Sequence, residues 1–249
     1  MKSVCYVYSL GLVDYEAAWT LQDRLASAIA AGDQPPTLLL LEHPHTYTFG
    51  RRGKSENLVW SEAERERRGV SVHWVDRGGD VTYHGPGQLV GYPLLPLGSP
   101  GLTSGPNGPA PRIPQADYVG YLRRLEDVLI TALEHLGVAS IKLPGLTGVW
   151  MQAPGYGDSN RSTFAKIAAI GVKVDGRGIS RHGFALNVNP DMEYWEGIIG
   201  CGLIGYPVTS LAEWIDPIPA MEEVIQSVSA AFGNEFNYKI TFQESLPGL

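Results

Sequence analysis

Cysteine is nearly absent from this chain: there are two in 249 residues, Cys5 and Cys201, far apart in sequence. That number excludes a disulfide framework, and without a C-x-x-C pair it excludes the common zinc-ligand spacings as well. Long apolar runs are missing too. No stretch approaches the roughly 20 residues that a membrane helix needs, so no membrane association is expected. The first residues, MKSVCYVYSLG, carry one lysine but no long apolar segment and no small-residue cleavage pattern. A secretory signal is therefore not expected, and a cytoplasmic address is. Positive charge is in short supply: 19 Lys and Arg face 26 Asp and Glu, a net charge of −7 that argues against nucleic-acid binding. The glycine-rich stretch over 77–88 has neither G-x-G-x-x-G nor the lysine of a nucleotide phosphate loop, and no metal or cofactor is expected.

What remains is an ordinary globular composition, 44% hydrophobic and 18% charged, with enough length for one large core or two small ones. Residues 4–9 read as a strand. Asp14 caps a helical pattern through Leu21, Leu25 and Ile29 that stops at Gly32. Thr37–Leu41 is a continuous apolar run, hence a buried strand, feeding a loop over 42–50. Val70–Val75 and Leu89–Leu95 are strand-like. Residues 98–114 and 153–163, rich in Gly, Pro and polar residues, read as flexible insertions. An amphipathic helix spans Gln115 to Leu136, with Leu122, Leu125, Leu129, Leu133 and Leu136 on one face. Phe164–Val174 and Ile179–Val188 form a hairpin turning at Asp175-Gly176. A helix near 220–232 and a strand near 236–242 follow. Such a hairpin needs antiparallel neighbours, so the expectation is a single α/β domain of α+β type over 1–249, with a mixed, largely antiparallel sheet packed with helices.

Between two of the apolar runs lies Arg77-Gly78-Gly79-Asp80-Val81-Thr82-Tyr83-His84-Gly85-Pro86-Gly87-Gln88. Four glycines in twelve residues suit a backbone that approaches a ligand closely, with a few polar side chains to orient it. Cys201, flanked by Gly200 and Gly202, is either a nucleophile on a tight loop or a small buried hydrophobe; Cys5, inside an apolar strand, fits the second description. A thiol with the reference pKa of about 8.5 is only a few per cent ionised at neutral pH, so a nucleophile needs a cation or base beside it. Lys166 is a candidate. Period two places it with Ala168, Ile170, Val172 and Val174, facing inward if that face is the core, or snorkelling at a strand end; a bulge at Gly171 would reset the register. His43, His45, His84 and His182 are alternative bases, or hydrogen-bonded structural histidines. Cationic clusters at Arg51, Arg52 and Lys54, at Arg65, Arg67 and Arg68, and at Arg123 and Arg124 are either solvated faces or docking patches for an acidic partner.

Taken together, RGGDVTYHGPGQLVGYPLL, Glu42-His43-Pro44 with Tyr47–Gly50, Pro144–Trp150, Lys166–Gly171, His182–Asn187 and Cys201-Gly202 with Val208–Leu211 resemble the lipoyl(octanoyl) transferases, the lipoate–protein ligase B family. The matching segments span most of residues 37–211 in the family's order. The resemblance implies the fold of biotin and lipoate ligase catalytic domains and a monomer. It implies an acyltransferase that takes octanoyl from octanoyl-acyl carrier protein. The acceptor would be a lysine of an apo lipoyl domain, in 2-oxoacid dehydrogenase E2 subunits, or of glycine cleavage H protein. It assigns Cys201 as thioester nucleophile and Lys166 as the lysine that activates it and moves protons. Arg77, Gly78, Gly79, Asp80, Val81, Thr82, Tyr83 and His84, Ala169, Ile170 and Gly171, and Gly183, Phe184 and Ala185 are assigned to substrate binding. Backbone amides near Gly202 or in the glycine segment would hold the oxyanion. The competing readings are an ATP-dependent lipoate or biotin ligase of the same fold, a cysteine hydrolase and a non-catalytic acyl-binding protein.

Overall fold

A computed structural model describes residues 2–97, 117–152 and 163–246. The insertions expected at 98–114 and 153–163 lie outside the described residues, Thr163 excepted. The chain opens with β1 (Ser3–Leu12), α1 (Tyr15–Ala31), β2 (Thr37–Glu42), β3 (Thr46–Phe49), α2 (Glu62–Arg67), β4 (Ser71–Trp74), β5 (Val81–His84) and β6 (Gln88–Leu94). It continues with α3 (Tyr118–His135), β7 (Ile141–Leu143), β8 (Leu146–Gln152), β9 (Phe164–Val174), β10 (Ser180–Asn187), α4 (Met221–Glu235) and β11 (Tyr238–Phe242).

Local chemistry sets the boundaries. Asp14 Oδ1 accepts from Glu16 N at 2.9 Å and Ala17 N at 3.1 Å, capping α1, and Gly32 ends the helix at φ 84°. A cap of this kind is worth about 1 kcal/mol. Asp117 caps α3 by accepting from Gly120 N at 2.7 Å, so the helix starts after the expected Gln115; residues 115 and 116 lie outside the described residues. The expected hairpin forms from β9 and β10, with Ile170 opposite Phe184 and Ala169 opposite Ala185.

Eight strands make one mixed sheet in the order β11-β1-β2-β6-β10-β9-β8-β7. β11, β1 and β2 are parallel neighbours and the remaining neighbours are antiparallel, which agrees with the largely antiparallel expectation. β2 shows why its sequence is unbroken leucine. Leu38 and Leu40 join the core under α3 and α4, while Leu39 and Leu41 join the layer holding Leu21 and Leu25 of α1. Covered on both faces, each of these side chains contributes about 2 kcal/mol of burial. Among the described residues no helix is long and apolar enough to cross a membrane.

A second sheet, β4-β3-β5, has three strands, and here two expectations change. The presumed loop over 42–50 contains β3, and the glycine-rich segment contains β5, with Gln88 already in β6. Both strands are only four residues long and begin at a Thr or Val among turn-forming residues, so period-two reading passes over them. Alternate positions of the two strands face each other inward: Tyr47, Phe49, Val81 and Tyr83 pack into a small core with Val70 and Ile198.

Candidate active site

A cavity of about 610 Å³ opens between the two sheets. Its wall takes Thr82 and His84 from β5, Val90 and Tyr92 from β6, Lys166, Ala169, Ile170 and Gly171 from β9, and His182, Gly183, Phe184 and Ala185 from β10. Arg77, Gly79 and Asp80 complete the side next to the small sheet, and Cys201 to Ile204 form part of the rim. Most of the expected site residues thus meet in one place. Gly78, Val81 and Tyr83 do not line it. Strand alternation turns Val81 and Tyr83 into the small core, and Gly78 acts through its backbone, donating to Val172 O at 3.0 Å.

Cys201 sits in the short turn Gly200–Gly202 with φ 55° and ψ 15°, the left-handed region that costs a non-glycine residue on the order of 1 kcal/mol. The turn is tied to the small-sheet side, because Ile199 N donates to Asn57 O at 2.8 Å. Asn57 Nδ2 in turn donates to Asp80 Oδ2 at 2.6 Å. Cys5, by contrast, is wholly buried, and burial pushes its thiol up to about 12.

Lys166 Nζ lies 3.7 Å from Cys201 Sγ and 4.6 Å from the centre of the Trp150 ring. Among the described residues no carboxylate is within ion-pair distance of it, although the side chain is 6% exposed. The backbone makes the meeting possible: Lys166 N donates to Pro207 O at 2.8 Å and Thr209 N to Lys166 O at 3.0 Å, so the stretch after Cys201 is laced to β9. An ammonium at this distance stabilises negative charge on the sulfur.

The reason Lys166 faces the cavity differs from the expected one. Ala168 pairs with Val149 but Lys166 with Trp150, so β9 carries one extra residue, Ile167. Ile167 and Ala168 both enter the main core, and Lys166 falls on the face of Ala169 and Gly171 instead of that of Ala168, Ile170 and Val172. Gly171, the suspected bulge, serves another purpose. A Cβ there would lie 3.0 Å from Gly78 O and 3.2 Å from Arg77 Cδ, so its absence lets the Arg77–Gly79 segment lie on the strand.

Arg77 is 7% exposed, and among the described residues its hydrogen bonds go to neutral acceptors, Thr48 O and Oγ1 and Gly78 O. The histidines on and behind the cavity wall are held by hydrogen bonds, His84 and His182 lining it and His43 lying behind. His43 bonds Val13 O and Tyr92 Oη, both at 2.7 Å, and burial pulls its pKa down to about 4. His84 bonds Gln88 Oε1 at 2.8 Å, and burial holds it far below its ordinary value. His182 Nε2 bonds Asp76 Oδ1 at 2.7 Å; burial lowers the imidazole, while His182 first and Lys173 next hold the Asp76 carboxyl well below the usual range. His45 bonds Tyr83 Oη and stacks on Tyr194 away from the cavity wall. Gly202 N and Leu203 N donate to Ile199 O and Gly200 O, and Gly78 N to Val172 O, so these three amides are already spent and the oxyanion expectation does not rest on them.

The sequence did not point to Tyr15 or Asn57. Tyr15 is 2% exposed at the first turn of α1, a burial that its place just after the Asp14 cap allowed but did not announce. Asn57 belongs to a short turn without motif character, so nothing flagged it.

A family model described as the lipoyl protein ligase A/B catalytic domain matches residues 14–233. An octanoyltransferase of Chloroflexus aggregans is 43% identical over 225 residues, 90% of this chain and 91% of that protein. An octanoyltransferase of Koribacter versatilis is 41% identical over 243 residues, 98% of this chain and 88% of its own length. Among solved structures, a bipartite lipoate protein ligase studied with its E2 lipoyl domain from Thermoplasma acidophilum superposes with a TM-score of 0.64 at 16% identity, covering 98% of this chain and 87% of the other. Lipoate-protein ligase A bound with ATP gives 0.63 at 16% identity, covering 98% and 89%. At those identities the likeness is one of fold.

Proposed function

For a chain that belongs to the lipoyl protein ligase A/B catalytic-domain family, we propose octanoyl transfer through a thioester on Cys201. The chain is an acyltransferase of the octanoyltransferase kind, acting in lipoylation. The donor in this reading is octanoyl-acyl carrier protein. The acceptor is a lysine of an apo lipoyl domain, in 2-oxoacid dehydrogenase E2 subunits, or of glycine cleavage H protein. The observation that carries it is the 3.7 Å approach of Lys166 Nζ to Cys201 Sγ at the rim of the cavity.

The Cys201 thiolate, facing the Lys166 ammonium, attacks the donor carbonyl. The carbon–sulfur bond to the carrier's arm breaks, and the departing thiolate takes a proton from Lys166. One thioester replaces another, so no ATP is consumed. Lys166, now neutral, removes a proton from the acceptor ammonium, whose reference pKa is about 10.4. The freed amine attacks the Cys201 thioester, the amide forms, the sulfur leaves as thiolate, and the second amine proton goes to solvent. Lys166 is an ammonium again and the pair is restored. The cavity wall of Val90, Ile170, Phe184 and Ala185 receives the acyl chain, whose methylenes contribute about 0.8 kcal/mol each when buried.

Intact mass after incubation with octanoyl-acyl carrier protein, without ATP, tests this. The expected result is an octanoyl adduct that is lost in Cys201→Ala and passes to an apo lipoyl domain. Acceptor modification that requires ATP and free octanoate would sink the reading in favour of a ligase.

A further inference from the structure

The three cationic clusters of the sequence meet different fates. Arg67 and Arg68 share Glu64, each at 2.6 Å, and Arg68 also reaches Glu193 and lies 4.3 Å over the Trp60 ring. Arg123 is bound to buried Glu126 and Arg124 to Glu235. Arg51 and Arg52 are exposed, and among the described residues no carboxylate lies within ion-pair distance of either. They do not hang on a loose loop. Arg51 N donates to Arg77 O at 2.9 Å, Arg52 N to Gly79 O at 3.0 Å, and Gly53 N to Gly50 O at 2.8 Å. The turn is therefore fixed to the segment that lies on β9, and Arg52 stands in the same cavity wall as Cys201. Lys54, also in that wall, is only partly neutralised by Glu56 at 3.4 Å on the surface.

A chain with a net charge of −7 thus keeps two guanidinium groups that have no ion-pair partner among the described residues, Arg52 in the wall of its reaction site and Arg51 next to it in the same fixed turn. Guanidinium forks match phosphate oxygens in geometry and stay charged at any working pH. Neither an octanoyl chain nor an acceptor ammonium offers an anion. The arm that carries an acyl thioester on a carrier protein does: it is a pantetheine joined through a phosphodiester, and that phosphodiester is its one charged group. We propose that Arg51 and Arg52 form the binding site for this phosphodiester and so draw the thioester to Cys201. The inference rests on the acyl-transfer reading and adds the part of the donor that is recognised.

Two small donors that differ only in the phosphate separate the possibilities: octanoyl-4′-phosphopantetheine and octanoyl-pantetheine, with octanoyl-carrier protein as a third. The measured quantity is the ratio of kcat/KM for the phosphorylated donor to that for the unphosphorylated one, read as Cys201 acylation. The unsubstituted protein is expected to prefer the phosphorylated donor by about tenfold, less at high salt, as charge pairing at a rim predicts. In R51A/R52A the ratio falls towards one, and R51K/R52K retains part of it. No preference in the unsubstituted protein, or a preference that survives in R51A/R52A, overturns the site. So does a variant that loses only the carrier-protein donor, because acidic side chains of the carrier would then be what these arginines meet. If no donor acylates Cys201 in the unsubstituted protein, the transfer reading itself falls and takes this inference with it.

Discussion

At the scale of single residues, two tasks are folded into Lys166 and can be pulled apart. Its ammonium steadies the sulfur in the first half-reaction, while its neutral amine is needed in the second. Arginine at that position keeps a charge but cannot give up a proton. Lys166→Arg is therefore expected to accept octanoyl, the departing thiolate leaving as the anion or taking its proton from solvent, and to hold it, so that acyl-enzyme accumulates in intact mass while transfer to a lipoyl domain falls by about 100-fold or more, the usual size of a lost general base. Lys166→Ala should slow both halves. Normal transfer in either variant would remove the lysine from the mechanism. Glu126 tests a different kind of residue. It is wholly buried, binds Arg123 at 2.7 Å and accepts from Gly148 N at 2.9 Å, and Gly148 sits against the Lys166 stem, 3.3 Å from Cε for a hypothetical Cβ. Glu126→Ala leaves that amide unsatisfied, and a loss of about 2 kcal/mol in denaturant unfolding is expected. A loss near zero would mean that water or a shifted Arg123 takes over the bond.

Elements built on local chemistry were legible. α1 announced itself by an aspartate and a glycine at its ends, β2 by leucines on both faces, and the β9–β10 hairpin by Asp175-Gly176. β3 and β5 were not, because a four-residue strand owes its existence to a partner far along the chain rather than to its own pattern. β9 shows the same limit inside the site. Glycine flanks and motif context singled out Cys201 and Lys166, but counting by twos put Lys166 on the core face, since a bulge at Ile167 leaves no mark in composition. Their approach was illegible for a similar reason: it depends on backbone bonds between Lys166 and the Pro207–Thr209 stretch. The reassigned role of Gly171 can be checked directly. Gly171→Ala puts a methyl 3.0 Å from Gly78 O, which must yield by a few tenths of an ångström. We expect kcat/KM to drop by about tenfold, a size that sub-ångström misplacement of a site segment readily produces, with little change in Tm. A large fall in Tm with unchanged kcat/KM would show that the glycine serves the sheet and not the site.

Across the whole molecule, the buried imidazoles make stability depend on pH in a defined direction. His43 has a folded pKa of about 4 against 6.5 when free, so between those values the unfolded chain binds the extra proton and the folded one does not. Stability is fully present above about pH 6.5 and is lost as the pH falls towards 4, by an amount on the order of 3 kcal/mol for this one residue. His84 and His182 are shifted the same way, and the lowered carboxyl of Asp76 adds its loss below the ordinary carboxylate range. Urea midpoints measured from pH 7 to 4.5 should decline, and the decline should be shallower in His43→Leu even though that variant starts lower; an equal slope would clear His43 of the effect. The same molecule-wide view bears on the turn that holds Cys201. It is fastened through Asn57 to the small-sheet side before the sulfur and to β9 only from Pro207 onward, whereas Lys166 belongs to the large sheet, so the 3.7 Å gap between sulfur and nitrogen works as a feeler gauge between the two sheets. A slip of one sheet against the other by a fraction of an ångström widens the gauge without undoing a single strand. In rising urea, acyl transfer should therefore fade at concentrations where the far-ultraviolet signal of both sheets is still intact.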